Sequence, residues 1–239
     1  MSRCDIPYDW IHYTSQCLHE WQTLEAGVLA LLAGLGSVYY LRKQISLSRE
    51  IEENNRKRHF NAVRASFPLT LSSIVDFASL SFKELDQAKG NLKQGGKKAL
   101  AAQISIPVIT PDLVEQLRGF IEATDDQTAI SLVSELLREV QVLSARMHSL
   151  ADEKDMKNRV GIDFNIAEYK LQAARIAALA DALFPFSRGS VESPPSSVSR
   201  EAVVEVLSRW DAHLENDDSL SKRIELFVGN ESPAWTVDD

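Results

Sequence analysis

The residues of this chain that could do chemistry come in incomplete sets. Gly90, Gly96, Lys97 and Lys98 approach a phosphate-binding loop, but GxxxxGK[ST] needs glycine at position 91 and a hydroxyl at position 98, where Asn91 and Lys98 stand. No strand pattern precedes them, which a phosphate loop also requires. His148, Asp152 and Asp155 are spaced to share one helical face. That suits an acid/base or metal pair, and a solvated helix end explains it equally well. His213 lies among Asp211, Glu215, Asp217 and Asp218, a pattern that reads as surface charge. HExxH, GxSxG and a GxGxxG following a strand are all missing. Cys4 and Cys17, with His12 and His19, leave open a disulfide, a metal site of the form H-x4-C-x-H, and two unpaired thiols, and the spacing matches no standard ligand set. No catalytic, cofactor-binding or metal-binding residue is assigned from these, and no cofactor is expected.

The chain that must position any such residues has 239 positions, enough for one domain with appendages. Its 44% hydrophobic and 25% charged residues exclude disorder along the whole length. Two cysteines rule out a disulfide framework and a CxxC…CxxC zinc module. Net charge is −8, the wrong sign for a protein whose main task is to coat nucleic acid. That total hides a split: residues 42 to 98 carry twelve Lys or Arg against six Asp or Glu, while residues 99 to 239 carry thirteen against twenty-four. Basic charge is therefore concentrated directly behind the apolar run Ala26 to Leu41, AGVLALLAGLGSVYYL.

Sixteen apolar residues alone would be short for a membrane span, and the flanks extend them. From Trp21 to Tyr39 or Tyr40 is about 27 to 29 Å at roughly 1.5 Å per residue, close to the hydrocarbon thickness of about 30 Å. Trp21, Tyr39 and Tyr40 thus fall where interfacial aromatic belts belong. A buried core helix is the competing reading, and the aromatic flanks and the step to Arg42, Lys43, Arg49, Arg56, Lys57 and Arg58 argue against it. A cleaved signal peptide fits poorly, because the preceding segment is long and nearly uncharged and no A-x-A site follows. Basic residues stay in the cytoplasm, so the amino terminus is expected outside and the carboxyl terminus inside. Ala26, Ala30 and Gly34 form a small-residue stripe through which two such helices could approach closely and form a homo-oligomer.

Beyond the span the pattern is helix after helix, and the expected fold class is all-α. Residues 1–20 form a short outer segment, 21–41 the transmembrane helix and 42–67 a basic helical neck. Residues 68–185 form the main, bundle-like domain, 186–198 a Pro/Ser linker, 199–228 two C-terminal helices, and 229–239 a polar tail. Pro68 should kink or restart the helix, and Gly95-Gly96 should end it. The stretch Ile104 to Ile109 suits a strand or an extended packing segment. Thr110-Pro111-Asp112 starts a helix that stops at Thr124-Asp125-Asp126, and these three can cap the next. In that next helix Ile130, Val133, Leu137, Val140 and Met147 lie on one line, with Leu136, Leu143 and Leu150 beside them, which marks it as the central helix. Asp163 is expected to cap a further Ala-rich helix reaching about Phe184, with shorter helices from Ser199 to Glu215 and from Ser219 to Val228.

Trp21-Gln22-Thr23-Leu24, Ala26-Gly27, Leu41-Arg42-Lys43-Gln44-Ile45, and Phe60-x-Ala62-x-Arg64-Ala65 leading to Pro68-Leu69 carry a resemblance. With them the chain resembles a group of uncharacterised proteobacterial single-pass inner-membrane proteins, mainly over residues 20 to 80 and more faintly from Ala177 to Phe186. Glu25 departs from the group, which is apolar at that position. The resemblance implies a bacterial inner-membrane protein and transfers no catalytic residue. The functional expectation is a non-enzymatic scaffold or interaction module whose partners are the lipid bilayer and another protein, with nucleic acid not expected. Two alternatives come from other classes: an enzyme on a helical scaffold whose site the sequence does not reveal, and nucleic-acid binding by the basic neck.

Overall fold

The computed structural model describes residues 10–151, 161–211, 217–229 and 235–236, with the side chains of 21, 24–92, 104–151, 161–211 and 217–229. The chain divides into two compact units, Met1–Lys57 and Arg58–Asp239, a boundary inside the stretch read as the neck. Among the described residues there are six α-helices and one two-stranded ladder, so the fold is all-α.

In the first unit the described backbone is helical from Trp10 onward, as the opening part of α1 (Trp10–Gln103). One stretch of α1 is long and apolar enough to cross a membrane. Ser37 keeps its hydroxyl satisfied within the helix by donating to the Ala33 carbonyl at 2.8 Å. Further along, Lys57 and Glu53 pair one turn apart at 2.7 Å. Arg42, Lys43, Arg49, Arg56 and Lys57 are all exposed, as is Arg58 at the start of the second unit.

The second unit takes up the rest of α1 and adds α2 (Pro111–Ala123), α3 (Gln127–Ala151), α4 (Ile162–Ser187), α5 (Arg200–Trp210) and α6 (Asp218–Val228). α1 neither restarts at Pro68 nor ends at Gly95-Gly96. Pro68 sits inside the helix, at the cost of one backbone donor. Gly95 and Gly96 cost about 1 kcal/mol each relative to alanine, and the Lys-Lys-Ala-Leu-Ala-Ala-Gln that follows is made of strong helix formers that carry the helix to Gln103. The segment from Ile104 to Thr110 is irregular, not a strand. Ile104, Ile106 and Ile109 pack against the core, and Glu84 accepts a hydrogen bond from the Ser105 amide at 3.1 Å.

Pro111 in the first turn and the extended backbone of Thr110 start α2 as the sequence implied, with Leu113, Leu117, Phe120 and Ala123 turned inward. Asp126 then caps α3 by accepting from the Ala129 amide at 2.9 Å. Most of the expected stripe of α3 is buried: Val133, Val140 and Met147 on the line, and Leu136, Leu143 and Leu150 beside it. Leu132, Leu136 and Leu143 are fully buried, while Ile130 and Leu137 are only half-buried.

The central helix is α4, not α3. It packs against α3, α5, α6 and β1 (Ser197–Val198), and it buries Ile166, Ala173, Ala174, Ile176, Leu179, Ala180 and Leu183. Its alanines explain this: small side chains on every side let several helices approach at once. Its cap is Gly161, at φ 75°, a left-handed conformation suited to glycine, and Asp163 lies within the first turn. After Ser187 the chain turns at Gly189, φ 76°, whose amide donates to the Phe186 carbonyl at 3.0 Å. Arg64 reaches this turn from α1, donating from Nε to the Phe186 carbonyl at 2.7 Å and from a terminal nitrogen to the Val191 carbonyl at 3.0 Å. Nearby, Phe67 of α1 stacks on Phe120 of α2 with ring centroids 3.8 Å apart.

Ser199 caps α5 by accepting from the Ala202 amide at 3.2 Å. α5 stops at Trp210, short of the expected Glu215. The stretch expected as a polar tail supplies β2 (Trp235–Thr236), antiparallel to β1, with Ser197 opposite Thr236 and Val198 opposite Trp235.

The half-buried Leu137 beside the fully buried Leu136 sets a test. Leu136→Ala should lower stability by about 2 to 5 kcal/mol, and Leu137→Ala by clearly less, in thermal unfolding of the full-length chain followed by circular dichroism. Equal losses would mean that Leu137 shares the centre of the core.

Candidate functional site

The residues singled out in the sequence are not brought together in one place. Trp21, Tyr39 and Tyr40 are exposed on α1, the two tyrosine rings meeting edge to face at 6.2 Å. Ala26, Ala30 and Gly34 are exposed as well, and a Cβ added at Gly34 would meet nothing within 4 Å. Gly90 and Gly96 lie within helical backbone, which lacks the loop that cradles phosphates. His148 is exposed in the last turn of α3. Asp152, Asp155, His213 and Glu215 lie outside the described residues, as do Cys4 and the side chains of Cys17, His12 and His19. Among the described residues, no three His, Cys, Asp or Glu side chains group as metal ligands.

The structure assembles instead two polar clusters in the second unit. The first forms around Lys170, which α4 carries into the core with no exposed surface. Its ammonium lies 2.8 Å from Asp86 of α1, 3.4 Å from Asp217 at the start of α6, and 3.9 Å from Asp211 after α5. It also sits 4.6 Å from the centre of the Phe82 ring, against which Trp210 packs. Lys89 adds a second buried ammonium, paired with Asp217 and donating to Ser219 Oγ at 2.8 Å. Asp217 also caps α6, accepting from the Leu220 amide at 2.9 Å. Burial alone would raise its carboxyl, but the hydrogen bonds from Lys89 and Leu220 and the nearby charges of Lys170 and Lys89 hold it below the ordinary value. Asp211 and Asp217, which the sequence suggested were surface charge, are thus counter-ions of buried lysines.

The second cluster walls a pocket of about 390 Å³ among α3, α4, α5 and α6. Five arginines line it: Arg138 and Arg146 from α3, Arg175 from α4, Arg200 from α5 and Arg223 from α6. Glu139, Glu168 and Gln172 stand among them, and Val142, Leu171, Leu226 and Phe227 give it an apolar part. Arg138 grips Glu135 with two hydrogen bonds of 2.8 and 2.7 Å and reaches Glu139 at 2.9 Å. That grip holds the Glu135 carboxyl below its usual range, against the opposing effect of burial, and holds Arg138 more firmly protonated than usual. Arg175 bridges the same two carboxylates, at 3.0 Å to Glu135 and 3.1 Å to Glu139. Gln172 donates to Glu139 at 2.7 Å and accepts from Arg146 at 2.7 Å. Arg223 pairs with Glu168, and Arg200 donates to the Phe227 carbonyl at 2.7 Å. Among the described residues, the buried Nε of Arg175 has no hydrogen-bond partner.

Sequence reasoning missed both clusters. The signal was present in α4: on its own helical face Lys170 has only Ile166, Ala167, Ala173 and Ala174 as neighbours, and Glu168, Gln172 and Arg175 recur at helical spacing on another face.

The buried pair sets a pH test. Asp217→Asn leaves two buried ammoniums short of their shared counter-ion and should cost about 3 to 5 kcal/mol near neutral pH. Because the Asp217 carboxyl is held below its ordinary value, the stabilisation is fully present above that ordinary value and is lost as pH falls through the depressed one. Urea unfolding at several pH values should therefore show wild type and variant converging in acid, and a gap independent of pH would mean that the Asp217 charge is not what stabilises. Against family models, curated proteins and solved structures, the chain gives no match.

Proposed function

We propose that the chain is a single-pass anchor holding an all-helical domain at the cytoplasmic face of a bacterial inner membrane, where it presents that domain to a protein partner without chemistry of its own. The supporting observation is a contrast between two apolar stretches. Every described side chain from Leu24 to Leu41 is exposed, Leu29 at 66%, whereas α4 buries its apolar side chains on several sides. Each fully exposed leucine forgoes about 1.5 to 3 kcal/mol of burial, so an uncovered run of this kind calls for lipid.

Orientation follows from charge. The exposed Arg42, Lys43, Arg49, Arg56, Lys57 and Arg58 would remain on the cytoplasmic side and gain about 1 kcal/mol each near anionic lipid. The acidic balance of residues 99 to 239 would be repelled by the same surface, which leaves the domain free to meet a partner. The resemblance over residues 20 to 80 supports the bacterial setting.

The full-length chain should resist alkaline carbonate extraction from membranes, and a reporter active only in the cytoplasm should be active when fused after Asp239. Release by carbonate, or a carboxyl terminus open to external protease, would overturn the anchor or its orientation. Self-association should depend on the span, through Ala30 and Gly34, more than on the neck. Replacing both with isoleucine should weaken a two-hybrid signal from the membrane helix, whereas Ile45→Ala with Ile51→Ala in the full chain should matter less. The reverse ranking would make the neck a coiled coil.

A further inference from the structure

We propose that the surface of the second unit beneath α6 is a docking groove for an amphipathic helix of a partner protein, that α6 fills it as a releasable strap, and that the incoming helix must begin with a carboxylate. This deepens the reading of the unit as a domain presented to a partner, and rests on it. α5 and α6 are each eleven residues long and both pack on α4, but they are held differently. α5 buries Val203, Val206 and Leu207, whereas among the described residues of α6 Leu220 alone is buried. Ile224 and Phe227 are half-buried, and Leu226 is 58% exposed. Polar contacts along its length do the holding. Asp217 pairs with Lys89 and Lys170, and Ser219 accepts from Lys89 at 2.8 Å. Arg223 pairs with Glu168, and the Phe227 carbonyl accepts from Arg200 at 2.7 Å. On release such contacts are exchanged for contacts with water, so they resist opening less than a buried apolar face would.

The groove is also larger than its present occupant. Between the end of α6 and helices α3 and α4 the pocket of about 390 Å³ stays open, with Val142, Leu171, Leu226 and Phe227 as its apolar part. A helix with bulkier side chains along the same stripe would fill it. α6 itself shows what the groove accepts: a carboxylate at the cap, Asp217, then Leu220, Ile224 and Phe227 three, seven and ten residues on, along one helical face. The cap acid sets the specificity. When α6 leaves, Lys89 and Lys170 lose the carboxylate they share, and a helix that covered them without supplying one would bury ammonium charge short of its counter-ion. A helix starting with aspartate restores the pair.

The test uses the full-length chain in mild detergent and, as probe, a fluorescein-labelled peptide copying residues 215–229, read by anisotropy. Saturable binding is expected, weakened by competition from the tethered α6, whose effective concentration is about millimolar. Arg223→Gln in the chain loosens the strap while the peptide brings its own arginine, so it should tighten peptide binding by about threefold to tenfold. A peptide carrying Asp217→Asn should bind about tenfold or more weakly. Arg209→Gln in the chain, on an exposed residue away from α6, should change nothing. The wild-type chain gives a second reading: in native-state hydrogen exchange the amides of α6 should exchange ahead of those of α4. The proposal is overturned by no saturable binding to either chain, by affinity that Arg223→Gln leaves unchanged, by equal binding of the Asn peptide, or by α6 amides that exchange only together with those of α4. A dimer of the chain that the peptide dissolves would make a second copy the occupant and overturn the foreign partner. A chain that carbonate releases from membranes but that still binds the peptide would strike the anchor and leave the groove, and the converse would strike the groove alone.

Discussion

A buried ammonium is the constraint around which the second unit is arranged. Lys170 sits in the most enclosed helix of the unit, where an unpaired charge would be prohibitively costly. It is tolerated because carboxylates arrive from three separate places in the chain: Asp86 in α1, Asp211 after α5 and Asp217 before α6. Each of those segments must dock for the charge to be answered. Asp217 serves twice more, as counter-ion to Lys89 and as cap of α6, so the start of that helix and the neutralisation of two lysines are one event. The geometry selects one packing among the many that an alanine-rich helix would otherwise permit.

From that arrangement the arginine pocket follows. With α6 fixed at its first turn, Arg223, Leu226 and Phe227 near its end face the side chains of α3 and α4, and Arg200 closes the remaining side by bonding the Phe227 carbonyl. The aromatic contacts at the other side of the core, with Phe67 on Phe120 and Arg64 clasping the turn after α4, bind α1 to the same framework. α4 therefore carries two different polar solutions on two of its faces: a sealed one around Lys170 and an open one around Gln172 and Arg175.

The all-α class, the apolar stretch of α1, the start of α2 and the capping of α3 were legible in the sequence, because each depends on local pattern or on the chemistry of a few adjacent residues. Less legible was anything set by several helices at once. The glycine pair near residue 95 is a strong local breaker, yet the helix formers after it outweigh it. Leu136 and Leu137 are adjacent and equally apolar, and which is buried depends on the helices packed against α3, α2 and α4 among them. For the polar clusters the difficulty was greater. Asp211, Asp217 and Lys89 each look like ordinary surface charge, and only long-range folding turns them into counter-ions. Arg138 with Glu135 is, in sequence, a routine pair on a helix surface, and nothing local says that four other guanidiniums gather beside it.

The small ladder between β1 and β2 has a different kind of consequence. It ties Ser197 to Thr236 across both α5 and α6, closing a loop whose entropic cost is about 3 kcal/mol for roughly 40 residues. A two-residue ladder, whose hydrogen bonds are worth about 0.5 to 1.5 kcal/mol each, does little more than match that cost. It can persist only while α5 and α6 are already seated on α4, where the buried Val198 also rests. The ladder is therefore a local gauge of whether that half of the unit is assembled: helix docking maintains it, and its amides would exchange with solvent as soon as docking loosens.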